Sequence, residues 1–196
     1  DVNNNEYIQT LIDRMNITEK KLLLENDFDI LWKNLWVNFD NINNNIKKEY
    51  EKSKINFNIL KLREIYNLKY YYDNSKIIYS ENEWEIPKGR RNNREENRAC
   101  AIREFMEETN ITEDKYKIIN NIVPLTEEYK GINNVNYKHV YYVAKINENK
   151  KLFINPNNPD QYKEIKNICW LNKDECLKKI RCYSTAKRNL IQEFFS

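Results

Sequence analysis

Glycine is almost missing from this sequence: Gly89 and Gly131 are the only two in 196 residues, against a usual share of roughly 7%. Two glycines cannot assemble a G-x-G-x-x-G or a G-x-x-x-x-G-K run. That excludes the dinucleotide-binding and P-loop folds, which cradle phosphate with backbone amides. Histidine occurs once, at His139, and nothing near it in the sequence forms a Ser or Cys triad. The four cysteines, Cys100, Cys169, Cys176 and Cys182, include no C-x-x-C pair, which disfavours a zinc ribbon. Buried thiols in a reducing, cytosol-like compartment are the expectation, although the spacing leaves a bridge open. No apolar run approaches the length of about 18 residues at which a spanning helix is read. No charged-then-apolar leader opens the sequence, so neither membrane insertion nor secretion is expected.

What is present can build a core. Hydrophobic residues make up 40% and aromatic residues 13%, too much for general disorder. Asn, Ile, Lys and Tyr dominate, and all four have AT-rich codons. Base bias therefore explains much of the Asn content and weakens Asn as a turn or cap signal. The net charge is +3, and its distribution says more than its sum. Charges cancel over residues 1–76, come to −1 over 77–162 and to +4 over 163–196. A solvated face is the ordinary reading of that basic C-terminal excess, and a phosphate-facing surface is the sharper one.

Periodicity divides the chain near residue 75. Before it, Phe28, Leu31, Trp32, Leu35, Trp36 and Phe39 fall on one face of an amphipathic helix, with Asp27 as its N-cap. Further helices are predicted over Thr18–Leu24 and Phe57–Tyr72, with a loop or weak helix at Asn41–Asn45. Trp32, Trp36 and Trp170 are assigned to cores. After the division the pattern mixes. Strands are predicted at Ile77–Tyr79, Glu83–Ile86, Tyr116–Val123, Tyr137–Ile146 and Glu164–Leu171. Helices are predicted at Arg98–Glu108, Lys173–Ile180 and Ser184–Phe195. The expected domains are a helical one over 1–75 and an α+β one over 76–196. His139 is expected to point out from its strand or to pack against the sheet.

The chemistry concentrates on one predicted helix. Glu104 and Glu108 are four residues apart and share a face, and Glu107 lies one turn from Glu104. Three carboxylates on about one turn repel each other and destabilise an isolated helix. A shared cation would relieve that repulsion. Oxygen donors suit a hard one, Mg²⁺ or Mn²⁺, which typically also binds substrate phosphates. Taken alone, a solvated acidic face remains the plain alternative.

The cluster has a context. Gly89, then Glu95, then Arg103-Glu104-Phe105-x-Glu107-Glu108-x-x-Ile111 resembles the Nudix box, G-x5-E-x7-R-E-U-x-E-E-x-G-U with U apolar. The single departure is Asn110 in place of the last glycine. That change is mild, because Asn also tolerates the left-handed conformation expected after a helix. The resemblance implies a Nudix α/β/α sandwich with a mixed sheet, preceded or interrupted by the helical domain. It implies a metal-dependent pyrophosphohydrolase using Mg²⁺ or Mn²⁺. Glu104, Glu107, Glu108 and Glu164, beside Gly89, would form the metal site. Glu107, Glu108 and Glu164 would be catalytic, and Glu95 and Arg103 a structural ion pair.

Three segments narrow the family. Trp84-Glu85-Ile86-Pro87-Lys88-Gly89, Tyr137-Lys138-His139-Val140-Tyr141-Tyr142 and Glu164-Ile165-Lys166-Asn167-Ile168-Cys169-Trp170 resemble mRNA-decapping Nudix enzymes of large cytoplasmic DNA viruses, the poxviruses and African swine fever virus. The helical part is weakly similar to the helical insertion of that family. That likeness implies that the first Nudix strands precede the sequence given. Capped mRNA is then the expected substrate and 7-methylguanosine diphosphate the product. Lys88, Arg90 and Arg91 would contact phosphate. The RNA body would run over the helical domain and the basic surface. A cytoplasmic location is implied, the host cytoplasm for a viral protein, with virion packaging a further option. Two other activities compete. One is hydrolysis of diphosphoinositol polyphosphates or other nucleoside diphosphate derivatives. The other is an inactive RNA-binding Nudix fold.

Overall fold

A computed structural model of the chain describes residues 2–35, 44–147 and 151–196. Trp36 and Phe39 of the predicted amphipathic helix lie outside the described residues. The chain divides into two units, Asp1–Asn82 and Glu83–Ser196.

The first unit is helical: α1 (Asn5–Arg14), α2 (Ile17–Glu25), α3 (Phe28–Leu35), α4 (Asn44–Leu62) and α5 (Leu68–Asn74). Asparagine, discounted above as base bias, sets several of these starts. Asn4 and Asn67 accept the Tyr7 and Tyr70 amides, and Asn16 forms a reciprocal capping box with Glu19. Asp27 stands at the start of α3, but its carboxylate goes to Lys61 at 2.8 Å. The predicted helix over Phe57–Tyr72 is two helices. Tyr66 takes a left-handed φ of 55°, which a continuous helix cannot hold. Two apolar groups hold the unit. Ile8, Ile12 and Tyr71 are buried with Met15, Leu23 and Leu60 against them. Trp32 is buried among the rings of Phe28 and Tyr50, with centroids at 5.5 and 5.4 Å. The expected strand at 77–79 is a single parallel bridge between Asn16 and Tyr79. The Ile17 amide donates to the Tyr79 carbonyl at 2.9 Å. No described helix is long and apolar enough to cross a membrane.

The second unit is α+β. Its elements are α6 (Asn97–Thr109), a 3-10 turn (Glu113–Lys115), β1 (Tyr116–Ile118), β2 (Leu125–Lys130), β3 (Asn136–Tyr141), β4 (Ala144–Ile146), α7 (Pro159–Glu164), α8 (Lys173–Lys179) and α9 (Thr185–Phe194). β2 and β3 form a hairpin that puts Glu127 opposite His139, and β1 pairs antiparallel with β4. The mixed sheet expected above is therefore represented, among the described residues, by two two-stranded antiparallel ladders. Residues 83–86 have no ladder partner among the described residues, because alternation alone does not supply one. Residues 164–171 are not a strand either: Glu164 closes α7, and an irregular segment follows. Trp170 is exposed, contrary to its core assignment. Of the cysteines, Cys100 is buried, Cys169 and Cys182 are exposed, and all four are free. The Phe105 ring meets Tyr116 edge-on at 5.1 Å, which ties α6 to β1.

Candidate active site

The site is built on α6 and the loop that enters it. Glu104, Glu107 and Glu108 lie in the last turns of α6, where the helix dipole is also negative. Repulsion and dipole both act against them, so the helix needs a local cation. Arg103 provides one. Its Nε donates to Glu95 Oε1 at 2.9 Å and its Nη2 to Glu95 Oε2 at 3.0 Å, a bidentate grip. Nη1 reaches Glu107 at 2.9 Å and Glu104 at 2.7 Å. Nη2 also donates to the Arg90 carbonyl at 3.0 Å, which pins the entering loop to the helix. The Arg103 hydrogen bonds, helped by the Asn92 amide, draw the Glu95 carboxyl down to about 2. In return, the Arg103 guanidinium is held more firmly in its charged form.

Gly89 packs against that helix more closely than any other residue could. A Cβ there would lie 1.9 Å from Glu104 Cδ. Its φ is not positive, so space rather than backbone conformation requires glycine here. Asn110 ends α6 in the left-handed conformation, with φ 58° and ψ 26°. It thereby does the work of the glycine it replaces.

Glu108 has a different environment. Its carboxylate accepts the Lys88 amide at 3.2 Å. Burial pushes its pKa up to about 7, with the Glu104 and Glu164 charges adding to the rise and the Lys88 amide opposing it. Glu164 reaches this neighbourhood from the end of α7. α7 is fastened to α6 by Gln161, whose Nε2 donates to the Glu108 carbonyl at 3.0 Å. Gln161 is fully buried, and nothing in its sequence context distinguished it.

Among the described residues, no three His, Cys, Asp or Glu side chains are arranged to hold a metal ion. Glu104 and Glu107 both turn onto Arg103, while Glu108 stands apart against Lys88. The donor set still fits a hard divalent cation. It offers oxygens only, and it includes a half-buried carboxyl driven towards protonation by burial and neighbouring negative charge. Of the basic residues predicted to meet phosphate, Lys88 Nζ lies 3.8 Å from Glu85 and Arg91 donates to the Glu95 carbonyl at 3.2 Å. Arg90 is exposed. Part of the basic C-terminal excess faces inward. Lys187 is buried and paired with Glu85, and Arg188 donates to the Leu177 and Ile180 carbonyls. His139 is half-buried, with Nδ1 2.9 Å from the buried Glu127, whose Oε2 also accepts the Tyr141 hydroxyl.

A glycine loop packed onto a helix that offers only carboxylate oxygens is a setting that suits a hard divalent cation. Residues 74–194 match the NUDIX domain, and the chain belongs to the Nudix family. It is 35% identical to a provisionally named mRNA-decapping protein of Acanthamoeba polyphaga mimivirus, over all of this chain and 59% of that protein. It is 30% identical to the mRNA-decapping protein g5R from two isolates of African swine fever virus, over 86% of this chain and 68% of each relative. The chain thus spans between about half and two thirds of the length of these relatives.

Proposed function

We propose that this chain supplies the hydrolytic unit of an mRNA-decapping enzyme. The enzyme cleaves within the 5′ cap polyphosphate, releases 7-methylguanosine diphosphate and leaves a 5′-monophosphate RNA. One observation carries the reading. The box residues Gly89, Glu95, Arg103, Glu104, Glu107 and Glu108 stand on one loop and helix, in a chain similar over most of its length to proteins named for decapping.

Glu104, Glu107 and Glu108, with Glu164, would hold Mg²⁺ or Mn²⁺. A bound cation neutralises pyrophosphate charge and lowers the pKa of the attacking water. The residues of the chain do the rest. Glu108, held against the Lys88 amide at the end of α6, would orient that water and accept its proton. Arg103 braces the loop through Glu95 and the Arg90 carbonyl. Lys88, Arg90 and Arg91 lie on the loop that enters α6, where they would meet the phosphates. The helical unit would carry the RNA body, and the enzyme would work in the cytoplasm.

The test compares substrates. Wild-type protein with Mg²⁺ or Mn²⁺ is given cap-labelled RNA, free cap analogue and a diphosphoinositol polyphosphate. Preferential hydrolysis of capped RNA supports the reading. Preference for the inositol compound overturns it.

A further inference from the structure

Lys187 is a buried charge that the chemistry above leaves unused, and it lies in the unit that carries the site. It lies on α9 and is 4% exposed. Burying an ammonium group is expensive unless it is paired, and an apolar side chain of the same length would suit the packing better. α9 already buries Leu190 and Ile191. Lys187 donates instead to Glu85 Oε2. Glu85 stands four residues before Gly89, in a segment that no strand ladder holds among the described residues. That segment is fastened by side chains. The Lys179 ammonium sits over the Trp84 ring at 5.1 Å, and Lys187 closes on Glu85. Further along, the Arg90 carbonyl is held by Arg103 and the Gly89 carbonyl lies 3.8 Å from Cys100 Sγ. Beside these anchors lie the two backbone positions that meet the carboxylates of the helix. They are the Lys88 amide on Glu108 and Gly89 against Glu104.

We propose that Lys187 is a positioning residue: by closing on Glu85 it fixes the Trp84–Gly89 segment so that Lys88 and Gly89 set the Glu108 and Glu104 carboxylates for a divalent cation. The nearby acid Glu127 does not need Lys187, because it has His139 and Tyr141 as partners. The ion pair therefore serves the entering loop, and α9 reaches the cation site through Glu85. This inference rests on reading Glu104 and Glu108 as cation ligands.

The test is Mn²⁺ binding to the full chain without RNA, followed by the electron paramagnetic resonance signal of free Mn²⁺. Thermal melting and kcat and KM on capped RNA are measured alongside. Lys187→Met is expected to weaken Mn²⁺ binding about tenfold and to lower kcat by a similar factor with KM unchanged. Lys187→Arg, which keeps the charge, restores both. The double variant E85M/K187M removes both charges of the buried pair and leaves only the partly exposed Lys88, 3.8 Å from Glu85, without that neighbour, so it is expected to melt close to the wild-type temperature. It still shows the tenfold loss, which separates positioning from stability. Wild-type Mn²⁺ affinity in K187M and in the double variant overturns the inference and leaves the cation site standing. Failure of the wild-type protein to bind Mn²⁺ overturns the ligand assignment, and the inference with it.

Discussion

Replacing Gly89 by alanine separates geometry from folding. The added methyl would sit 1.9 Å from Glu104 Cδ and 2.0 Å from its Oε2, so one of the two must move. The backbone is not the obstacle, because Gly89 has no positive φ to strain an alanine. The moving part is the end of a flexible side chain, so the cost falls at the low end of the roughly 1–3 kcal/mol for overpacking. About 1 kcal/mol in a chain of this size lowers the melting temperature by roughly 2–4 °C. The carboxylate, however, is displaced by an ångström or more, enough to cost about 10²-fold in a reaction that depends on placement. Gly89→Ala is therefore expected to fold, to melt a few degrees lower and to lose about two orders of magnitude in hydrolysis of cap-labelled RNA. Adding Glu104→Ala to it is expected to cost little more, since both changes remove the same carboxylate. Wild-type activity in Gly89→Ala, or effects of the two changes that multiply, would refute the close packing as the reason for glycine.

Glu108 makes stability depend on pH in the metal-free protein. Its folded pKa of about 7 lies above that of the unfolded chain, so its contribution is full below about pH 4.5. That contribution is lost as pH rises to about 7. Discounted for the solvent that reaches a half-buried carboxyl, the loss is roughly 1–2 kcal/mol. Urea unfolding across that range should show the decline, and Glu108→Gln should flatten it. Arg103→Lys keeps the charge but cannot grip Glu95 bidentately while reaching Glu107 and the Arg90 carbonyl. A loss of about 1.5–3 kcal/mol in denaturant unfolding is expected. Trp32→Ala removes the centre of the Phe28 and Tyr50 ring group and is expected to cost about 3–5 kcal/mol, read from the helical circular dichroism signal. RNA binding should weaken steeply between low and moderate salt if phosphate contacts carry it, and a salt-independent affinity would argue against a phosphate-reading surface.

The loop and helix around the box were legible because their determinants are local. The spacing of Glu95 and Arg103 lets one guanidinium bridge loop and helix. Asn110 ends α6 in a conformation that few residues besides glycine tolerate. The helical first unit was legible in the Phe28–Leu35 stripe for the same reason. The strands at 77–79, 83–86 and 164–171 were misread because apolar alternation reports exposure and says nothing of a hydrogen-bond partner. The break between α4 and α5 carries no Gly or Pro signal, since Tyr66 takes the left-handed turn. Asparagine caps were hidden by the abundance of the residue. Gln161 and Lys187 were not legible, because their roles depend on α7 and α9 meeting residues 53 and 102 positions away. The basic C-terminal excess read as surface, although Lys187 and Arg188 are spent on internal bonds.

The most direct measurement is the identity of the labelled product released from cap-labelled RNA in the presence of Mn²⁺, by the wild-type chain and by Glu108→Gln. The wild type is expected to release 7-methylguanosine diphosphate and the variant almost none. A different labelled product, or equal release by Glu108→Gln, would contradict that expectation.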